Sequence, residues 1–192
     1  MNWTEVLGFV TGAACVWLAA RQHVLNWPIG ILNNVFFLIL FWRAGLYADS
    51  LLQLVYAAIA IYGWWKWARG GPAGGALPAS RTPPRMAMIL TVLTVVATVA
   101  LYAILRRFTT STVPAGDAIT TAMSLTAQFM LGRKLVENWF VWIAADVIYV
   151  ALYCYKDLYL TALLYAIFIG MCVAGYRHWQ RSIAGRLALE PA

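Results

Sequence analysis

GRKLVENWFVWIAADVIYVALYCYKDLYLTALLYAIFIGMCVAGYRHW (Gly132–Trp179) lies without a gap over the earlier stretch ARQHVLNWPIGILNNVFFLILFWRAGLYADSLLQLVYAAIAIYGWWKW (Ala20–Trp67), so that every position n faces position n + 112. Thirteen of the 48 aligned positions are identical, including Arg21 with Arg133, Asn26 with Asn138, Trp27 with Trp139, Leu46-Tyr47 with Leu158-Tyr159, Gly63 with Gly175 and Trp67 with Trp179. An apolar composition matches Leu and Val by itself, whereas matched Trp, Asn, Tyr and Gly mark a duplicated unit. In a membrane protein such a duplication points to a transporter whose substrate site lies between the halves.

The composition puts the chain in a bilayer. Hydrophobic residues make up 63% and charged residues 11% of 192 residues, and the mean hydropathy is +0.73, too little polarity to coat a water-soluble domain. Apolar stretches of membrane-crossing length occur at 4–20, 28–42, 47–67, 86–105, 114–131, 138–154 and 158–178. The first is read as a helix rather than a signal peptide, because Met1-Asn2-Trp3-Thr4-Glu5 carries an acid and no base. With the N-terminus outside, ten Lys and Arg face the cytoplasm and four (Arg43, Arg106, Arg107, Lys156) face out, so the positive-inside rule orients the chain N-out, C-in. The net charge of +7 follows from topology and anionic inner-leaflet lipid, and does not argue for nucleic acid.

The expected fold is therefore an all-α integral membrane protein of seven transmembrane helices. Residues 1–67 form a first three-helix repeat, 68–85 a cytoplasmic Gly/Pro-rich flexible linker, 86–105 a linker helix, 114–179 a second three-helix repeat, and 180–192 a cytoplasmic tail. Four spans per offset make the repeats parallel, in a three-plus-one-plus-three order. The Thr hydroxyls of the linker helix are expected to bond back to their own carbonyls.

No phosphate-cradling glycine loop and no Ser/His/Asp constellation is present, so neither ATP-driven transport by this chain alone nor enzymatic chemistry is indicated, and no cofactor is called for. Cys15, Cys154 and Cys172 read as small buried hydrophobes. His23 and His178 have no partner at metal-ligand spacing. Glu137 beside Arg133 and Lys134 reads as a surface ion pair, and Trp64-Trp65-Lys66-Trp67 as a membrane anchor.

Asn138, Trp139, Trp142, Asp146 and Tyr149 are spaced so that the last four share one face of a helix. A carboxylate inside the bilayer costs on the order of 3 kcal/mol and so faces a polar cavity or a partner. Indoles beside a carboxylate suit a flat cationic ring, through cation–π attraction and charge. The second helix supplies the facing wall with Asn26, Trp27, Asn33 and Asn34, and Asn34 is the repeat counterpart of Asp146. Gln53, its counterpart Tyr165, and Gln128 are further intramembrane polar groups directed at the same cavity.

The run Glu137-Asn138-Trp139-Phe140-Val141-Trp142-Ile143-Ala144-Ala145-Asp146-Val147-Ile148-Tyr149, then Tyr155-Lys156-Asp157-Leu158-Tyr159-Leu160-Thr161-Ala162-Leu163-Leu164-Tyr165 and Gly175-Tyr176-Arg177-His178-Trp179, resembles the Pnu family of vitamin transporters over nearly the whole chain. The resemblance implies a three-plus-one-plus-three core like that of the sugar-transporting SWEET proteins in the opposite orientation, and a prokaryotic inner-membrane location. It implies facilitated uptake of an unphosphorylated vitamin trapped by a cytoplasmic kinase, and homotrimers. It maps binding to Asn138, Trp139, Trp142, Asp146 and Tyr149, with Asn33, Asn34, Gln53, Gln128 and Tyr165 added by depth and symmetry. Nicotinamide riboside is the first expectation and thiamine or riboflavin the alternative. The other classes are a SWEET-like sugar or small-solute carrier and a non-transporting membrane subunit.

Overall fold

The computed structural model describes residues 3–43, 47–109, 112–157 and 159–188; the matched pair Leu46 and Leu158 and the end of the tail from Leu189 onward lie outside them. The described residues form seven helices: α1 (Trp3–Ala20), α2 (Asn26–Arg43), α3 (Tyr47–Arg69), α4 (Pro84–Phe108), α5 (Pro114–Gly132), α6 (Asn138–Tyr155) and α7 (Tyr159–Leu187). Proline opens α4 and α5, where its missing N–H is one the helix could not have used. The apolar stretches read from sequence fall on these helices, but residues 180–187, assigned to the tail, continue α7. By length and hydropathy alone, α4, α6 and residues Thr161–Leu187 of α7 are long and apolar enough to cross a bilayer.

Helix α2 packs on α3 and α6 on α7; α1 touches α2 and α7, while α5 touches α6 and α3. Moving every helix by the repeat offset turns each of these contacts into another of them. The offset holds at atomic detail in the turns. Gln22 and its repeat counterpart Lys134 both take left-handed φ, 57° and 50°. The Gln22 amide donates to Ala19 O (2.9 Å) and the Lys134 amide to Leu131 O (2.9 Å), and the His23 and Leu135 amides reach Leu18 O and Met130 O at 2.8 and 3.0 Å. Neither residue is glycine, and the local bonds outweigh the strain of about 1–2 kcal/mol.

Beside these turns the halves are joined crosswise. Trp67 Nε1 of α3 donates to Leu131 O at the end of α5 (2.9 Å), and Trp179 Nε1 of α7 donates to Ala19 O at the end of α1 (3.1 Å). The two indoles meet edge to face at 5.8 Å. Each also meets the first-turn Trp of its own half, Trp27 at 5.3 Å and Trp139 at 5.4 Å. Gly63 and Gly175 make room for this packing: a Cβ on Gly63 would clash with the six-membered ring of Trp27, and one on Gly175 would lie 2.7 Å from Trp139. Trp67 is thus 2% exposed, a buried clasp and not the membrane anchor expected of it, although Trp64 and Trp65 are exposed.

The Gly/Pro-rich linker departs from the expected flexible tether. After a turn at Pro72–Gly74, it docks as a strap on the α5–α6 turn. The Leu77 amide donates to Trp67 O (3.1 Å), Ser80 N to Lys134 O (3.0 Å), and Val136 N to Ser80 O (2.9 Å). Lys134 Nζ donates to Leu77 O (2.8 Å) and lies 4.4 Å over the Trp67 ring. Glu137, expected in a surface ion pair, accepts bonds from Thr82 N (2.7 Å) and Oγ1 (2.6 Å). Its position at the start of α6 places the carboxylate against the passing strap.

Helix α4 lies against α5, and none of its most apolar window is buried. Its Thr91, Thr94 and Thr98 hydroxyls donate to carbonyls one turn back, as the sequence predicts, so the helix shows an apolar surface to its surroundings. Leu32, Val92, Val99 and Leu163 are likewise exposed, an exterior suited to lipid.

Candidate functional site

Between the halves, next to the tryptophan clasp, lies a cavity of about 370 Å³. Twenty of its twenty-three lining residues form ten repeat-related pairs, among them Gly12 with Ser124, Val16 with Gln128, Trp27 with Trp139, Gly30 with Trp142, Asn34 with Asp146, Phe37 with Tyr149 and Gln53 with Tyr165. The cavity therefore straddles the axis that relates the halves. Its chemistry is not symmetric: α6 and α7 contribute Trp142, Asp146, Tyr149 and Tyr165, where α2 and α3 contribute Gly30, Asn34, Phe37 and Gln53.

The four residues read as one face of α6, Trp139, Trp142, Asp146 and Tyr149, all line the cavity, as do Asn33, Asn34, Gln53, Gln128 and Tyr165. Asn138 stands apart. At the first turn of α6 its amide folds back to donate to Leu135 O (2.6 Å), so it braces the turn and is not among the cavity's lining residues. Its counterpart Asn26 does line the cavity, and the Asn26 Nδ2 and Asn138 Oδ1 atoms are buried with no hydrogen-bond partner among the described residues.

Asp146 is 4% exposed, and among the described residues no basic side chain pairs with it. Its polar neighbour is the Cys172 thiol, with Sγ 3.9 Å from Oδ2, a weak donor. A carboxyl so placed is completed by a cationic or hydrogen-bond-donating ligand, or by a proton. The indole N–H groups of Trp27 and Trp139 are buried without a partner among the described residues, and both tryptophans line the cavity. Unmet buried donors of this kind are uncommon and ask for an acceptor. Away from the clasp the wall is aromatic: Tyr149 and Tyr165 lie 4.7 Å apart, and Tyr165 and Phe168 5.7 Å apart.

Cys15 and Cys172, which read as plain core in the sequence, also line the cavity, and Cys154 is exposed. The sequence reading leaves out Tyr56, Ser124, Phe37 and Phe168. Applying the repeat offset to Tyr149 finds Phe37. Tyr56 and Phe168 carry no polar signal beyond the hydroxyl of one.

The family described as the nicotinamide mononucleotide transporter family matches residues 2–181. The chain belongs to this family. It is similar to the nicotinamide riboside transporter PnuC of Escherichia coli (strain K12), with 28% identity covering 97% of this chain and 88% of that protein. It is also similar to the riboflavin/roseoflavin transporter RibM of Streptomyces davaonensis, with 28% identity covering 92% and 84%. A crystal structure of the vitamin B3 transporter PnuC superposes with a TM-score of 0.73 at 22% identity, covering 95% of this chain and 82% of that one, a likeness of fold. These relatives are transporters, not enzymes, and the resemblance read from the Glu137–Tyr149 run agrees with the family.

Proposed function

We propose that this member of the family takes up an unphosphorylated vitamin, nicotinamide riboside in the first place, by facilitated alternating access without ion coupling. In this reading the seven helices span a prokaryotic inner membrane N-out, C-in, with α1–α3 and α5–α7 as parallel repeats, α4 as linker, and three chains as a homotrimer. A cytoplasmic kinase phosphorylates the arriving cargo and makes uptake one-way. The two helix triplets rock about the cavity, and the crossed Trp67 and Trp179 bonds are those that part when it opens to the cytoplasm.

The observation that carries the reading is the union, in one cavity between the halves, of Trp142 and Asp146 with the amide side chains of Asn33, Asn34, Gln53 and Gln128. A pyridinium ring stacks on Trp142 and is balanced by Asp146. The amides of Asn33, Asn34, Gln53 and Gln128 serve its hydroxyl and carbonyl groups. Titration of the purified protein with nicotinamide riboside, thiamine and riboflavin tests this. Nicotinamide riboside is expected to bind at micromolar or tighter concentration, and Trp142→Ala or Asp146→Asn to weaken it by about 30-fold or more, about 2 kcal/mol, with oligomer size unchanged. No binding by any of the three sinks the reading.

The equal identity to RibM supports riboflavin as a second reading. It predicts that riboflavin alone titrates the site and that Asp146→Asn, which removes a charge a neutral flavin does not need, has little effect.

A further inference from the structure

The glycines of the chain fall into two physical kinds. Gly63 and Gly175 are packed solid, as described, and Gly116 would set a Cβ 2.7 Å from Leu152. Gly12 of α1 and Gly30 of α2 differ. Both line the cavity, neither has the positive φ that demands glycine, and a Cβ on either meets a single atom at ordinary contact distance: Phe168 Cζ at 3.8 Å for Gly12 and Cys15 Sγ at 3.8 Å for Gly30. Nothing in the backbone or the packing calls for glycine at these two places. What its absence of a side chain leaves is space inside the cavity.

The repeat shows how large that space is. Gly30 is the counterpart of Trp142, and Gly12 of Ser124. At equal height the second half fills its side of the axis with an indole, and the first half leaves its side open. The opening is floored by Cys15, whose Sγ lies 3.8 Å from where a Gly30 Cβ would be. We propose that Gly30, with Gly12 and Cys15, forms a selectivity lobe that accepts the edge of a planar heteroaromatic cargo stacked on Trp142, and so sets the widest ring system the transporter carries. The inference rests on the reading of this cavity as the cargo site. Gly30 acts by the room it leaves, and Trp142 by contact.

Two measurements on the full-length protein test it. In the first, affinities for nicotinamide riboside, thiamine and riboflavin are compared in the wild type, Gly30→Ala and Gly30→Leu. Gly170→Leu on α7, whose Cβ would meet nothing within 4 Å and which does not line the cavity, is the control. Gly30→Leu is expected to weaken the widest ligand bound by about tenfold or more and the narrowest by about threefold or less, with Gly30→Ala intermediate. Equal loss for every ligand bound, or no loss, overturns the lobe. In the second, modification by a small methanethiosulfonate reagent is followed at Cys15 by peptide mass mapping. Cys15 is expected to react in the wild type and about tenfold more slowly in Gly30→Leu, because the new side chain covers Sγ. An inert Cys15 in the wild type, or a rate untouched by Gly30→Leu, overturns the lobe. If none of the vitamins binds, the transport reading fails, and the thiol measurement still decides whether the lobe is open.

Discussion

The tryptophan clasp and the cavity beside it are made by the same duplicated helices, yet only the clasp has kept its symmetry. At the clasp, Trp27, Gly63 and Trp67 answer Trp139, Gly175 and Trp179 residue for residue, and the ring separations nearly coincide, 5.3 Å for Trp27–Trp67 and 5.4 Å for Trp139–Trp179. In the cavity, Gly30 answers Trp142 and Asn34 answers Asp146. Where the halves must grip each other, a change on one side spoils a contact made by both. Where the halves face the cavity and not each other, each side is free to take a different chemistry.

The comparison can be broken most severely at its symmetric end. Gly63→Val and Gly175→Val should each cost about 3 kcal/mol or abolish folding, since the new side chain has no space beside its tryptophan. Thermal unfolding in detergent that found one tolerated and the other lethal would show the clasp to be asymmetric after all. Next in size, exchanging the cavity pair with Asn34→Asp plus Asp146→Asn keeps composition and depth but moves the carboxylate across the axis. Cargo affinity should fall by about 100-fold, about 2.7 kcal/mol, and a titration giving wild-type affinity would mean that the two walls are interchangeable. Trp67→Phe and Trp179→Phe each delete one crossed N–H···O bond and should cost about 1 kcal/mol apiece, equally; unequal melting shifts would show that one crossing holds more than the other.

The last effect is seen only as pH changes, at a place near the clasp where the halves diverge. Burial lowers the Lys134 ammonium from 10.5 to about 8, against the pull of the Leu77 carbonyl and the Trp67 face. The folded value lies below the unfolded one, so the unfolded chain binds more protons between about pH 8 and 10.5, and folding gains as pH rises through that window. Relative to Lys134→Gln, which gives the second turn the residue of the first, wild-type stability should climb by about 2 kcal/mol from about pH 7.5 to about pH 10. A flat difference between the two melting curves would exclude it.

Much of this architecture is readable in the chain because a bilayer makes helices obligatory and a duplication prints its register in Trp, Asn and Gly. The face formed by Trp139, Trp142, Asp146 and Tyr149 follows from helical spacing alone. Asn138 escapes such a reading because adjacency to Trp139 says nothing of a first-turn amide folding back on Leu135. The linker escapes it for a related reason: Gly and Pro report the freedom of the unfolded chain, while the contacts that remove it come from Lys134, Val136 and Glu137, far along the sequence. Trp67 looks like its exposed neighbours Trp64 and Trp65, and only the tertiary partner at Leu131 separates them.

The strap gives this pseudo-symmetric machine a handedness in its mechanics. Its bonds to Trp67, Lys134, Val136 and Glu137 weld the end of α3 to the α5–α6 turn, and among the described residues the α1–α2 turn receives no such weld. In the rocking proposed above the two halves are then unequally loaded: parting Trp67 from Leu131 also strains the strap, whereas parting Trp179 from Ala19 meets no such tether among the described residues.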